Sequence, residues 1–190
     1  KFKVTTNSKH NKPIHANSLD RQFNPQFPNQ RWVADITYVP TSEGWLYLSI
    51  IMDLYSRKVI GWAMSERMTD SIVTDALKMA LFRRKVRSDL LLHSDRGSQY
   101  ASDNMQRLLR NNNIICSMSR KGNCWDNAPT ERFFRSLKYE QLHYEKFRTV
   151  AEAKLSIIDY LAFYNGKRIH STLGYKSPLI FERDFLRQAA

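Results

Sequence analysis

Three acidic side chains stand where a fold could turn them toward one another: Asp35 in "WVADITY", Asp95 in "HSDRGSQY" and Glu131 in "NAPTERFF". Asp35 lies between Ala34 and Ile36 in a run rich in β-branched and aromatic residues, where a charge is costly unless paired or metal-bound. Asp95 follows the short apolar run "DLLLHS", at the point where a strand stops. Glu131 sits in the first turns of a helix. Three converging carboxylates make a hard-oxygen site for Mg²⁺ or Mn²⁺. Two such ions about 4 Å apart, bridged by a shared carboxylate and the scissile phosphate, are what phosphoryl transfer uses. One ion lowers the pKa of the attacking hydroxyl and the other steadies the leaving oxygen, so the protein has only to hold ions and substrate in line. The residues alone leave a plainer reading open, because an acid near a strand end commonly forms a turn or a cap. Asp53 in "IMDLYSRK" and Asp126 in "WDNAP" are assigned to that structural role.

The elements that must position these acids follow from periodicity. "RWVADITYVP" reads as a strand ending at Pro40, and alternation puts Val33, Asp35 and Thr37 on one face. "GWLYLSIIMDLYS" and "KVIGWAM" continue it as an antiparallel meander. Ile72, Val73, Ala76, Leu77, Ala80 and Leu81 recur at helical spacing after Thr69-Asp70, which supply capping chemistry. "DLLLHS" is a short buried strand, a helix spans about 102–110, and "NIICSM" is a further strand. "SRKGNCWDNAP" is a loop, a helix starts near Pro129, and Thr149 to Glu152 form a capping-box pattern that opens another. Val150, Ile157, Leu161 and Tyr164 share its buried face, and Asn165-Gly166 end it. The order β-β-β-α-β-α-β-α-α implies an α/β fold: a mixed five-stranded sheet, three antiparallel strands then two parallel, flanked by helices. In such a sheet Asp95 lies at the carboxyl edge, where ligands bind.

Composition bounds the rest. A chain of 190 residues suits one core, here 31–165, with a basic, unpacked lead-in over 1–30 and a tail over 166–190. Lys and Arg number 30 against 18 acids, and this net +12 suits a polyanionic partner. Cys116 and Cys124 complete no zinc pattern, and a disulfide framework is not expected, which favours a reducing compartment. No apolar run approaches membrane length and no signal peptide is seen, so the expected location is cytoplasmic. The chain begins with Lys1, which suggests a fragment.

Thirty-five residues separate Asp95 from Glu131, and with the words around all three acids the chain resembles the integrase core of the insertion-sequence-three family of bacterial transposases, relatives of retroviral integrases. Lys138 falls seven residues after Glu131, where that family also carries a basic residue, and "FYNGKRIHSTLGYKSP" resembles the family's tail. The resemblance implies a ribonuclease-H-like fold and Asp35, Asp95 and Glu131 as catalytic metal ligands. It also implies cleavage of DNA at element ends, followed by attack of the freed 3′-hydroxyl on another strand. "VTTNSKH" resembles the junction after an upstream DNA-binding region. Insertion-sequence ends and target DNA are the expected partners, met as a homo-oligomer on DNA and near the nucleoid.

Glu131, Arg135 and Lys138 share one helix face, so two cations could meet phosphates beside the catalytic acid. Arg120 and Lys121, next to Gly122, could touch substrate from the preceding loop, where Trp125 is either a wedge or a core anchor. "FRRKVR" (82–87) suits a helix terminus better than DNA. His93 is expected to be buried and hydrogen-bonded. Two rival readings stay open, a hydrolytic nuclease of the same fold and a catalytically silent DNA-binding remnant.

Overall fold

The structure, a computed structural model, describes residues 10–86 and 88–188. Three strands rich in branched and aromatic residues, β1 (Arg31–Thr41), β2 (Gly44–Asp53) and β3 (Lys58–Ser65), form the antiparallel meander. The short strands β4 (Leu91–Ser94) and β5 (Ile115–Met118) add in parallel on the other side of β1, giving the order β3-β2-β1-β4-β5. β1 is therefore central, with β2 against one edge and β4 against the other.

Alternation along β1 sorts its side chains between two cores. Val33 and Val39 join the core built with α3 (Ala128–Glu140) and α4 (Val150–Gly166), which supply Phe133, Leu137, Ile157 and Leu161. Trp32, Ala34 and Ile36 join the opposite core with α1 (Ser71–Arg83) and α2 (Asp103–Asn111). Asp35 shares the parity of Val33, and so it faces the α3 side. Gly61 lets α1 lie against β3, since a Cβ there would fall 2.3 Å from the Ala76 carbonyl oxygen. The Thr149 capping box on α4 forms as its sequence implies. Asp70, by contrast, makes no side-chain cap on α1; its carboxylate accepts instead from Asn104 Nδ2 at 2.8 Å.

The lead-in departs from expectation. Residues 10–30 are not an unpacked linker, for Leu19 is fully buried in the α3–α4 core. A buried leucine contributes about 1.5–3 kcal/mol. The backbone amides of Ser18 and Leu19 donate to Ser117 Oγ at 2.9 and 3.1 Å, and Met118 N donates to the Ala16 carbonyl. Farther back, Lys12 Nζ donates to the Ser98 carbonyl at 3.1 Å. This strap has no apolar period because a few scattered anchors, Leu19 and Phe23 on the core and Phe27 against Phe185, and polar bonds to residues about a hundred positions away hold it. The "VTTNSKH" junction lies almost wholly outside the described residues.

The tail also packs. A further helix, α5 (Pro178–Gln188), sets Phe181 and Phe185 against Tyr55, with centroids 5.2 and 5.1 Å away. Its buried Glu182 pairs with both terminal guanidinium nitrogens of Arg84 and with Lys58 at 3.1 Å. Arg83 stacks over Trp62 at 4.3 Å. The described part of "FRRKVR" thus has structural work at Arg83 and Arg84, and Arg87 lies outside the described residues. No described helix is long and apolar enough to cross a membrane.

Candidate active site

The parallel pairing of β1 with β4 runs through Arg31↔Leu91, Trp32↔Leu92 and Val33↔His93, then stops. Beyond it the two strands separate, and Asp35 and Asp95 each follow two residues later. Asp35 Oδ1 accepts from the Ile36 amide at 2.8 Å, and Oδ2 lies 3.4 Å from Thr130 Oγ1. Asp95 Oδ1 accepts from the Gly97 amide at 2.8 Å. That approach needs glycine, because a Cβ at 97 would stand 2.9 Å from the same oxygen.

α3 is docked to this point by its first turn. Asn127 Nδ2 donates to the Ala34 carbonyl at 3.0 Å, and the fully buried Thr130 reaches Asp35. Glu131 follows on the exposed side of the helix. Burial pushes the Asp35 carboxyl well above the usual range, and the charges of Asp95 and then Glu131 push it further. Burial alone raises Glu131. Tyr100, from "HSDRGSQY", is also raised, first by burial and then by Asp35 and Asp95. Asp35 and Asp95 thus act on each other past the end of the ladder, and Glu131 acts on Asp35 from α3.

No three His, Cys, Asp or Glu side chains among the described residues are gathered tightly enough to hold a metal ion as they stand. The donor set still fits Mg²⁺ or Mn²⁺: it is all oxygen, and no basic group is among the causes that act on Asp35. Sequence reasoning missed Asn127, Thr130 and Gly97, which aim the acids rather than supply them. Their signal was proximity to the motifs, which does not reveal a role.

Asp126 is structural, as its turn chemistry suggests, but as an ion-pair centre. It is fully buried and accepts from Arg120 Nη2 at 2.7 Å, Arg21 Nε at 3.0 Å and Asn17 Nδ2 at 3.0 Å. The Arg120 bonds in particular hold its carboxyl far below the usual range. Of the four cations expected at DNA, Arg120 is thus engaged within the protein, whereas Lys121, Arg135 and Lys138 are exposed. Glu131, Arg135 and Lys138 line one cavity of about 510 Å³ with Thr37, Tyr139 and His143, and Lys138 Nζ lies 4.8 Å over the Tyr38 ring. Trp125, 69% exposed, is no core anchor. Asp53 accepts from the Asn29 and Tyr55 amides, a turn role. His93 is fully buried between the Ser117 and Ser119 hydroxyls, at 2.9 and 3.0 Å.

Residues 25–124 match the family model described as integrase core domain, and residues 112–178 match a second model with the same description. The chain is 47% identical to an insertion element IS600 uncharacterized 31 kDa protein of Shigella sonnei, over all of this chain and 70% of that one. It is 46% identical to transposase InsF for insertion sequence IS3A of Escherichia coli, over 96% of this chain and 64% of that one. The chain therefore spans about two thirds of these relatives. Among solved structures, a simian T-cell lymphotropic virus intasome in complex with PP2A regulatory subunit B56 gamma matches with TM-score 0.72 at 20% identity, covering 94% of this chain and 61% of that one. The HTLV-2 integrase catalytic core in complex with magnesium matches with TM-score 0.65 at 16% identity, covering 84% and 99%. At such identities the likeness shows a shared fold, the mixed five-stranded sheet of retroviral integrase cores, which is ribonuclease-H-like.

Proposed function

This chain belongs to the integrase core domain family, with insertion-sequence transposases among its relatives, and on that premise we propose that it is the catalytic domain of a transposase that cuts DNA strands and joins them to new ones. The observation that carries the reading is the juxtaposition of Asp35 and Asp95 at the parting of two parallel strands, with Glu131 acting on Asp35 from α3.

Asp35, Asp95 and Glu131 would hold the divalent cations, Mg²⁺ or Mn²⁺, two in number. When bound, such ions supply the positive charge that acidifies an attacking hydroxyl and steadies a leaving oxygen. The protein's own share is orientation. The Ile36 amide and Thr130 aim Asp35, the Gly97 amide aims Asp95, and Asn127 ties α3 to β1 so that Glu131 stays beside them. Arg135, Lys138 and Lys121 present cations to phosphates flanking the cut. Arg120 acts by bracing the loop through Asp126. Insertion-sequence ends and target DNA are the substrates, and oligomeric assembly on DNA, in a bacterial cytoplasm, belongs to the same reading. The residues divide as a catalytic core over 31–165 with an anchored lead-in and tail.

The test is strand transfer. The 190-residue chain is incubated with labelled duplexes that carry pre-cut 3′ ends, with Mg²⁺ or Mn²⁺. Joined products are expected. Hydrolysis without joining would point to a nuclease, and neither activity to a DNA-binding remnant.

A further inference from the structure

Arg135 and Tyr139 line two cavities: the one that holds Glu131 and Lys138, and a second of about 620 Å³ on the next face of α3. Three separate parts of the chain bring basic side chains to this second cavity. Arg57 comes from the β2–β3 turn, Arg132 and Arg135 from α3, and Arg168 and His170 from the segment after α4. One carboxylate, Glu140, lines it, and that group is already taken up. It accepts from Arg168 Nη2 at 2.5 Å and from the Tyr160 hydroxyl at 2.8 Å. Arg57, Arg132 and Arg135 have no ion-pair partner among the described residues.

Two buried polar atoms here also lack a hydrogen-bond partner. Arg57 Nη2 donates to Asn24 Oδ1 at 2.8 Å, but its Nη1 has none. Burial lowers the Arg57 pKa, and the charge of nearby Arg132 lowers it further. The backbone of Arg57 is left-handed, with φ 59°, a conformation that glycine would adopt with less strain. At His170, Arg168 Nη1 lies 3.4 Å from Nδ1 and can only donate, so Nδ1 accepts and the ring proton sits on Nε2. That Nε2–H is buried and unpartnered. Tyr164 holds the ring edge-on, with centroids 4.9 Å apart. A buried donor without an acceptor is costly, and two in one cation-lined cavity match an anion with several acceptor oxygens.

We propose that this cavity binds a backbone phosphodiester of the DNA strand that leaves the active-site cleft across Arg135 and Tyr139. The assignment rests on the DNA-processing function above. Planar guanidinium forks suit phosphate oxygens two at a time, and a half-enclosed site strengthens each such bond. Glu131 and Arg132 are adjacent in α3, so the helix that carries the catalytic acid would also fix the strand's path.

The test uses the whole chain and two probes. Inorganic phosphate is titrated while the His170 ring is followed by NMR. A bound anion should shift that signal and raise the ring's pKa from the value of about 4 to which burial, and then Arg168, lowers it. Single-stranded oligonucleotides are then titrated across a salt series. Arg132→Glu, an exposed position that leaves the core intact, should weaken their binding about tenfold or more. It should also reduce the salt slope by about 0.7 for each phosphate that is no longer neutralised. Arg57→Gln should act in the same direction, and Asp95→Asn should leave the phosphate response intact. A silent His170 with unchanged oligonucleotide affinity in Arg132→Glu overturns the pocket, even if the chain joins DNA ends. A phosphate response without any effect of Arg132→Glu on oligonucleotides marks a free-anion site and also overturns the assignment. If both probes respond but no ends are cut or joined, the pocket stands and the transposase reading falls.

Discussion

Asp35 and Asp95 stand two residues beyond Val33 and His93, the last facing pair of the parallel β1–β4 ladder, so the register that builds the sheet also sets the two acids opposite each other where it ends. Burial and mutual repulsion make that opposition unfavourable without a counter-ion.

Divalent metal should therefore stabilise the chain. At a hundredfold excess over the dissociation constant, a ligand that binds only the folded state adds about 2.7 kcal/mol. Thermal melts with and without Mg²⁺ or Mn²⁺ should show this as a higher Tm. Equal melting temperatures at saturating metal would remove the site assignment.

Asp95→Asn should abolish metal-dependent cleavage and the metal-induced rise in Tm together. The amide keeps the shape and can still accept from the Gly97 amide, so fold and non-specific DNA binding should persist. Cleavage near the parent rate would show that Asp95 does not carry the chemistry.

The metal-free protein should respond to pH in a set direction. Asp35 binds its proton more tightly folded than unfolded, so stability is highest below the unfolded carboxyl pKa and falls as pH rises through the raised folded one. Asp35→Asn should flatten this dependence. Denaturant melts from about pH 4 upward, with and without the substitution, would decide it.

Asp126 works in the opposite sense. Its folded pKa is depressed, so its stabilisation is present above the unfolded value, about 3.9, and is lost as pH falls toward the folded one. Asp126→Asn should cost about 1.5–3 kcal/mol, the scale of hydrogen bonds to a charged group. Amide exchange should speed up at Ser18 and Leu19, which the strap fastens beside it. Unchanged exchange there would mean that Ser117 holds the strap without Asp126.

Lys138→Ala should leave the metal-induced rise in Tm alone, because no carboxylate is lost. It should lower the salt slope of duplex binding by about one unit. The cation over Tyr38 is lost as well, at a cost of about 0.5–1 kcal/mol of stability for an exposed pair. An unchanged slope and affinity would make Lys138 a surface residue that serves only that ring.

The alternation that turns Asp35 to the α3 side, the strand end that precedes Asp95, the helix phase shared by Glu131, Arg135 and Lys138, and the capping box at Thr149 were all legible in the chain's own pattern. Each is a local property, written in periods of about two or 3.6 residues, and so it can be read without knowing what packs against it. Tertiary structure alone decided the rest. Leu19 lies in a segment with no period, and its burial depends on Ser117 and Asp126, about a hundred residues away. Arg120 looks like a free loop cation until Asp126 is found beneath it. Arg57 and His170 are 113 positions apart and line one cavity only because α3 and the segment after α4 meet the β2–β3 turn. Charge pairing and cavities depend on distances through space, and the sheet order β3-β2-β1-β4-β5 sets those distances by placing chain-distant residues side by side.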